Sequence, residues 1–439
     1  MLGKVIPKKF ILIISVCLLV MLIASIMDES GLLNFFAFVF SLSFIFVLTK
    51  KISNLDYFIY AVFINSSLMS GHFKFLSITS IIFGILLLSL FSIFVKKHKL
   101  IGLVDKKIIM ISIIWFIYTI YNSILVSGTS INGLIYSFIP FSVLFTSVFL
   151  SQAKVNEQSK FIWTIYIAFS LIIFVSLIEH LLGHTFFSIR WTIEERYRNG
   201  ILRAGSTLAD PNNVCFMLVP FFFLLQTSVF KLYIPSFIRK LTIFLDFVIV
   251  ILTSSRAGIL ALFMGIAFMI ISKKRVSLII ILPVLYFGTN LLLQQFENLL
   301  NKYENSTSFR EYVVAQALLV WNSHKVFGAG STMLFSMIDG NNTMNTYVYL
   351  LGIYGLIGLV IYILYWFSIL RVDIKRWLLN KKIYNDQLCK LSVFITSGII
   401  AYSLDVLGMA FVWIIPAVFQ VIDFYSKKDI DQEKWVKYE

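Results

Sequence analysis

Two arginines that interrupt apolar sequence are the residues whose chemistry most needs an explanation. Arg203 lies in a polar stretch, and Arg256 lies in a short polar segment further on, each with long apolar runs around it. Arginine is costly near a bilayer core, so each one needs a partner or a role. Two guanidinium groups facing one cavity suit a diphosphate, which each can bind through paired hydrogen bonds. The alternative is that each pairs with a carboxylate, such as Asp210 or Glu179, or reaches the lipid headgroups.

Side chains suited to proton transfer occur between residues 294 and 343. His324 is a candidate general base, because imidazole exchanges protons near neutral pH. Glu311 and Asp339 are the other candidates in this segment, since a carboxylate can also take the proton of an attacking hydroxyl group. The sequence leaves these three candidates open.

Two further groups of polar residues favour simpler explanations. His180 and His184 have the spacing of metal ligands on a helix, but Gly183 predicts that the helix ends there and no third ligand follows, so we expect no metal site. The mixed-charge run from residue 190 to residue 198 is typical of a solvated short helix. Within that run, Arg198 is the residue best placed to help hold a sugar or a phosphate.

Composition restricts the class of protein. The chain has 439 residues, of which 59% are hydrophobic and 13% are charged, and a mean hydropathy of +0.89. These values exclude a soluble domain and indicate a polytopic membrane protein. The net charge of +15 does not indicate nucleic-acid binding, because the basic residues cluster in short loops on one side of the predicted spans. The chain contains three cysteines, and they form no disulfide or metal motif.

The apolar runs predict an all-α bundle of about fourteen transmembrane helices. We treat residues 1–439 as a single integral membrane domain without a separate soluble domain. The predicted spans are Phe10–Met27, Leu32–Thr49, Tyr57–Met69, Phe75–Val95, Ile108–Val126, Leu134–Leu150, Phe161–Leu182, Val214–Phe230, Leu241–Leu252, Ile259–Ile271, Val276–Leu293, Met344–Leu370, Leu391–Asp405 and Val406–Phe424.

The positions of the basic residues predict the orientation of these spans. If the N-terminus is cytoplasmic, most of the 37 Lys and Arg residues fall in cytoplasmic segments, and both termini are then cytoplasmic. Two long loops, Gly183–Asn213 and Gln294–Thr343, lie outside. In the second loop, Phe309–Asn322 predicts an amphipathic helix, and Phe327–Ser331 predicts a flexible turn.

Four short segments resemble those of the O-antigen ligase and polymerase superfamily. The segment from Arg203 to Asn212 is similar to the family's R-x-x-G and D-P-N pattern, and Thr253–Gly258 is similar to its T-x-S-R-(G/A) pattern. Phe327–Gly330 matches F-G-x-G, and Asn345–Gly358 matches the family's segment that begins His-Asn and ends in spaced glycines. The four segments occur in the family's order and on the expected outer side.

The resemblance implies a membrane glycosyltransferase that needs no metal or other cofactor. Such enzymes polymerise oligosaccharide repeat units, carried on undecaprenyl diphosphate, into capsular or O-antigen-type polysaccharide outside the inner (cytoplasmic) membrane. Arg203 and Arg256 would neutralise the leaving diphosphate, and Asp210, Asn212 and Asn345 would help bind substrate. The partners implied are the lipid-linked oligosaccharide, the bilayer, a chain-length regulator and a flippase, with no nucleic acid.

One departure from the family pattern favours a polymerase over a ligase. Met344 stands where the family's histidine would fall, and that histidine is associated with ligases that transfer glycan to lipid A core. A general base, if one is used, must then lie elsewhere. A flippase of the same pathway is the competing class of protein, and Asp246 and Asp405 in apolar spans would suit ion coupling in a transporter. Transporters need gates and midplane polar sites, whereas this chain has two large outer loops.

Overall fold

A computed structural model describes residues 106–126, 155–183, 197–198, 201–205, 210–274, 304–338, 345–379 and 384–403, with residues 415, 418–419 and 422–423. Several predictions fall outside these residues. They are Asp339, the charged run before Tyr197, and the spans Phe10–Met27, Leu32–Thr49, Tyr57–Met69, Phe75–Val95, Leu134–Leu150, Val276–Leu293 and most of Val406–Phe424.

The described residues are predominantly helical, which agrees with the predicted all-α class. One pair of two-residue antiparallel strands, β1 (Tyr197–Arg198) and β2 (Ile201–Leu202), lies in the first long loop. The helices are α1 (Lys106–Tyr121, continued by a π-helical turn at Asn122–Val126), α2 (Val155–Leu182), α3 (Pro211–Leu224), α4 (Ser228–Tyr233), α5 (Ser236–Leu252), α6 (Arg256–Lys274), α7 (Glu304–Ser323), α8 (Gly330–Met337), α9 (Thr346–Leu378) and α10 (Asn385–Ser403).

The chain divides into two compact units, with a boundary between Ser254 and Ser255. In the first unit, α2 packs against α3, α4 and α5. Its core is aromatic, with the rings of Phe169 and Phe221 stacked 4.3 Å apart. The Tyr166 hydroxyl lies 2.6 Å from the Thr242 hydroxyl and links α2 to α5. Packing of this kind positions the C-terminal ends of α2 and α5, where the segment around Arg203 is held.

The second unit contains most of α1 and all of α6 to α10. Helix α9 packs against α7, α8 and α10, while α10 also packs against α6. Asp373 of α9 and Lys390 of α10 form a buried ion pair with 2.5 Å between Oδ2 and Nζ. The sequence places Lys390 in a cytoplasmic loop, whereas the structure begins α10 six residues earlier than predicted. The ion pair explains how a lysine is tolerated inside this helix.

Two predicted spans differ from the helices that form. The span Val214–Phe230 is interrupted between α3 and α4, because the Thr227 hydroxyl and backbone N–H both donate to the Leu224 carbonyl and close a turn. The span Met344–Leu370 continues to Leu378 as α9. Its last turn contains Lys375 and Arg376, which stabilise the negative end of a helix dipole.

Two helices of the described part are long and apolar enough to cross a membrane: Ile165–Leu182 within α2, and α9. Their exposed surfaces are also apolar. In α9, Leu356, Val360 and Phe367 lie on one exposed stripe, the spacing expected of a helix face in contact with lipid. This part of the chain is therefore consistent with a membrane bundle, while the number of fourteen spans stays a prediction.

Candidate functional site

Arg203 lies against the C-terminal end of α5, in the first unit. Its Nε donates a hydrogen bond to the Thr253 carbonyl at 2.9 Å, and the backbone N–H of Ala204 donates to the Leu252 carbonyl at 3.4 Å. Carbonyls at a helix C-terminus lack partners within the helix, so this strand-like segment satisfies two of them. On its other side, Nδ1 of His180 lies 3.1 Å from the Leu202 carbonyl. The side chain of Arg203 is half-buried by these contacts.

The segment Thr253–Gly258 is a tight connection between α5 and α6. Ser254 has a φ of 51°, a left-handed conformation that is uncommon and mildly strained for a residue with a side chain. Ser255 then caps α6: its carbonyl accepts from Ile259 at 2.9 Å, and its hydroxyl accepts from Gly258 at 3.4 Å. Arg256 is thereby fixed as the first residue of α6.

Arg256 has an exposed side chain at the N-terminus of a helix. The N-terminal end of a helix carries a partial positive charge, so a cation there opposes the dipole. Two sources of positive potential, the guanidinium and the first turn of α6, meet at this point, and such an arrangement attracts an anion. Arg203 and Arg256 belong to different units of the structure, the first and the second respectively.

Asp210 and Asn345, both predicted to bind substrate, cap helices. Asp210 Oδ1 accepts from the Asn212 backbone at 2.8 Å and begins α3, with Pro211 as its first residue. Asn345 Oδ1 accepts from the backbone of Tyr347 at 3.0 Å and of Val348 at 3.1 Å, and begins α9. These motif residues therefore have a structural role in this chain, and their contact with substrate stays a prediction.

Helix α9 is broken at Gly355, where φ is 63° and ψ is −166°. The first two backbone N–H groups after the break donate to carbonyls outside the helix. Leu356 donates to the Lys325 carbonyl at 2.9 Å, and Ile357 donates to the Val326 carbonyl at 3.3 Å. In exchange, the Ala329 N–H donates to the Gly352 carbonyl at 2.8 Å. The segment Lys325–Ala329 therefore replaces the missing helical hydrogen bonds of α9. We name this segment the docked segment.

Side chains of α1 and its π-helical turn complete the junction between α9 and the docked segment. The buried amide of Asn122 donates through Nδ2 to the carbonyls of Phe327 at 3.0 Å and Ile353 at 2.9 Å. The Tyr118 hydroxyl lies 2.5 Å from the Tyr354 carbonyl and 3.1 Å from that of Phe327. Carbonyls exposed by the break thus find donors, as buried backbone groups require.

Glycine is required on both sides of this junction. Gly328 and Gly355 both have positive φ, and a Cβ added to either would overlap backbone atoms of the other segment. The F-G-x-G motif was predicted to form a flexible turn. The chain turns at this point, but the motif is hydrogen-bonded to α9, and its last glycine, Gly330, begins the short helix α8.

His324 lies directly before the docked segment, at the end of α7. Its carbonyl accepts from the Gly328 N–H at 2.9 Å. Its ring Nδ1 lies 3.0 Å from the Ser323 hydroxyl and 3.4 Å from the Val320 carbonyl. When Nδ1 carries the proton and donates to that carbonyl, Nε2 keeps its lone pair and can accept a proton. The imidazole is half-buried, so the structure gives a base-competent group a fixed position.

The other predicted residues are placed less closely. Glu311 has an exposed side chain on α7. The existence of α7 confirms the helix predicted in the second loop. Thirteen residues separate it from His324, or about 20 Å along a helix at 1.5 Å per residue, so the two cannot act on one proton. Arg198 lies in β1 with its backbone paired to Ile201, and its side chain is outside the described part, as is Asp339. No group of potential metal ligands occurs among the described residues.

The predicted amphipathic helix has a specific partner. Val313, Ala317 and Val320 are buried along one face of α7, at the spacing of a helix surface, and α7 packs against α9. Its buried apolar face is therefore used for protein packing, while Glu311, Tyr312 and Leu319 point away from that face and are exposed.

Sequence reasoning missed Asn122, Tyr118 and His180 as residues that hold the candidate site. Asn122 and Tyr118 lie more than 200 residues from the carbonyls they contact. Their sequence signal is weak: a polar amide at the end of an apolar run, preceded by Tyr118 and Tyr121 three residues apart on one helix face.

Residues 241–363 match the model of a protein family described as O-antigen ligase. The matched segment runs from within α5 to a point in α9 beyond the break, and it contains Arg256, His324 and the docked segment. This match confirms the resemblance to the O-antigen ligase and polymerase superfamily. It implies a membrane enzyme of the ligase or polymerase type. A search of curated proteins finds no match.

Proposed function

We propose that this protein is a polysaccharide polymerase that joins lipid-linked oligosaccharide units on the outer face of the cytoplasmic membrane. A hydroxyl oxygen of the acceptor sugar attacks the anomeric carbon of the donor. The bond from that carbon to the diphosphate oxygen breaks, and undecaprenyl diphosphate leaves with the electron pair. The observation that carries this proposal is the exposed guanidinium of Arg256 at the N-terminus of α6, inside the segment that matches the family.

Arg256 has the properties needed to stabilise the leaving group. Its guanidinium and the first turn of α6 both present positive potential, and the diphosphate gains negative charge as the bond breaks. The sequence predicts that Arg203 also meets the diphosphate, because it is the other arginine that interrupts apolar sequence on the predicted outer side. Its Nε donates a hydrogen bond to the Thr253 carbonyl, which fixes the plane of the guanidinium group.

His324 is the general base that the geometry supports best. Its Nδ1 lies near a backbone carbonyl, which favours the tautomer with a free lone pair on Nε2. Its position next to a hydrogen-bonded segment also suits a base that must meet one hydroxyl. This assignment agrees with Met344 at the family's usual histidine position, because the proton acceptor then comes from α7 instead.

The proposal is tested in the native host by the polysaccharide ladder. Cells lacking the chain are complemented with wild type, Arg256→Ala, Arg256→Lys or the control Arg310→Ala. Arg310 is an exposed arginine on the same predicted side, with no role assigned to it. We expect Arg256→Ala to lower the polymerisation rate about a hundredfold, Lys to restore part of it, and Arg310→Ala to behave as wild type.

Full-length glycan from a normally expressed Arg256→Ala variant would contradict the diphosphate role. A second comparison tests the base: His324→Gln should lower the rate on the order of a hundredfold or more, while Glu311→Gln should not. Purified protein supplied with lipid-linked units then separates the classes of protein. A polymerase lengthens the glycan, a ligase moves it to another acceptor, and a flippase only translocates it.

A further inference from the structure

Next to His324, the second unit presents aromatic rings that its own packing leaves partly uncovered. Tyr121 at the end of α1 is 42% exposed, and Phe327 in the docked segment is 50% exposed. Their ring centroids lie 6.3 Å apart with an interplanar angle of 55°. Behind them, Tyr118 stacks on Tyr121 with 6.4 Å between centroids and 25° between planes. We name Tyr121 and Phe327 the aromatic platform.

The backbone of the aromatic platform is fixed on both sides. The Phe327 carbonyl accepts from Asn122 Nδ2 at 3.0 Å, and the next residue, Gly328, donates to the His324 carbonyl at 2.9 Å. Tyr121 directly precedes Asn122, so the same amide that anchors the docked segment also fixes the end of α1. Because the rings have few torsions and a held backbone, a ligand that stacks on them loses little affinity to ordering.

The ligand chemistry follows from the neighbours of the platform. One face of a pyranose ring presents C–H bonds with partial positive charge, and an aromatic face carries the complementary negative potential. His324, whose carbonyl accepts from Gly328, and the exposed cation Lys325 lie within three residues of Phe327. An apolar surface with a few convergent polar groups is the usual composition of a small-molecule site, and here it would hold a ring whose hydroxyl group meets the base.

We infer that Tyr121 and Phe327 form the subsite that binds the acceptor sugar by stacking on its apolar face, beside His324. This inference rests on the proposed function and adds the part of the substrate that the platform recognises. The competing role for exposed aromatic residues is anchoring at the membrane interface. Anchoring does not need the Phe327 backbone to be held by a buried amide next to Tyr121, and it gives no reason for Phe327 to follow His324 in a hydrogen-bonded turn.

The test uses a glycan that lacks both lipid and diphosphate, so that the arginines do not contribute. The probe is the repeat-unit oligosaccharide released by mild acid from lipid carriers of cells that lack this chain. Its binding to the purified full-length protein is measured by saturation-transfer NMR, and lengthening of lipid-linked units is measured in parallel. We expect Tyr121→Leu and Phe327→Leu each to weaken glycan binding about tenfold, and Tyr121→Phe to bind as wild type.

The matched control is Tyr402→Leu, which removes another exposed aromatic ring of the same unit, 71% exposed on α10, and should change nothing. Leucine variants that bind glycan as wild type would overturn the inference. So would variants that lose only membrane insertion or thermal stability while affinity per folded molecule is unchanged.

The two measurements keep the inference and the proposed function distinguishable. Lengthening by wild type without measurable glycan binding would overturn the platform and leave the polymerase standing. Glycan binding that depends on Tyr121 and Phe327, with lengthening unaffected by Arg256→Ala, would support the platform and overturn the diphosphate role.

Discussion

Each unit contains an irregular segment that packs against a helix, at the end of α5 in the first unit and at the break of α9 in the second. The two segments are held by different kinds of contact. In the first unit, the segment around Arg203 is held at the end of α5 by the guanidinium of Arg203 itself and by one long backbone bond. In the second unit, the docked segment is held by backbone groups of α9 and by Asn122, and the side chains of Lys325 and Phe327 stay exposed.

The two kinds of contact differ in whether the residues that stabilise the fold are also those proposed to act on the substrate. In the second unit, glycines and a buried amide provide the stability, so His324 and its neighbours are available for a substrate. In the first unit, Arg203 contributes to both, because the side chain proposed to meet a diphosphate also satisfies a helix carbonyl. A substitution in the first unit should therefore change folding and activity together, while substitutions in the second unit should change one or the other.

The largest expected effect comes from filling the junction between the docked segment and α9. Gly328→Ala and Gly355→Ala each place a Cβ against backbone atoms and force a positive φ on alanine. Neither backbone can move away without losing its hydrogen bonds, so we expect a loss of more than about 4 kcal/mol. Thermal unfolding of the purified protein, followed by size-exclusion chromatography, measures it.

Two other glycines provide controls for this prediction. At Gly352, a Cβ would meet only the flexible end of Leu334 at 2.9 Å, and at Gly398 it would meet the Tyr347 hydroxyl at 3.4 Å. Gly352→Ala should cost less than the junction variants, and Gly398→Ala in α10 should be tolerated. Equal losses at all four positions would mean that the junction has no special role in stability.

The second largest expected effect tests whether Asn122 stabilises the junction between the docked segment and α9. Asn122→Ala removes the donor to the Ile353 carbonyl and one of two donors to the Phe327 carbonyl, which the Tyr118 hydroxyl also contacts. A buried polar group without a partner costs about 1–3 kcal/mol, so we expect a loss of that size in the free energy of unfolding. The matched variant Thr119→Val, also on α1, removes only hydrogen bonds to the Trp115 and Phe116 carbonyls of its own helix and should cost less. Unfolding midpoints that do not differ would contradict the bridging role.

The sequence predicted elements where signals are local. The spans predicted to start at Val214 and Met344 begin within three residues of α3 and α9, because an apolar run is a local signal. The caps Asp210 and Asn345, which bond to backbone groups two or three positions away, were instead predicted to bind substrate. The helix of the second loop was likewise predictable from its periodicity. Local signals of this kind predict where helices lie in the chain, but not which of their faces are in contact.

The junction in the second unit was not predictable, because it joins residues far apart in the chain. Gly355 stands within an apolar run that gives no sign of a break. The carbonyls that accept from the next two residues belong to the docked segment, far away in the chain. Similarly, Gly328 and Gly330 were expected to make the chain flexible, whereas Gly328 allows close backbone packing. The sequence identified His324 as a candidate but could not show which nitrogen of its ring lies near a carbonyl.

A third prediction contrasts the stability effects of the two arginines. Arg203→Ala removes a hydrogen bond to the Thr253 carbonyl and should destabilise the protein by about 1–2 kcal/mol. Arg256→Ala removes a cation that opposes the dipole of α6, so it should cost less stability than Arg203→Ala. Both should lose polymerisation. Differential scanning fluorimetry compares the two unfolding temperatures, and equal destabilisation by both variants would show that Arg256 has a structural role as well.

The smallest expected effect concerns Asp246, and its purpose is to separate an enzyme from a coupled transporter. Asp246 is completely buried in α5, and its carboxylate oxygens have no hydrogen-bond partner in the described part of the chain. An unpaired charge is expensive there, so the neutral amide of asparagine fits the same space. A polymerase of the proposed kind moves no ion, and Asp246→Asn should then give a normal glycan ladder and normal stability. A transporter that couples flux to this carboxyl group would instead stop moving lipid-linked units while remaining folded. Glycan length in the host and translocation in vesicles, measured on the same variant, decide between the two.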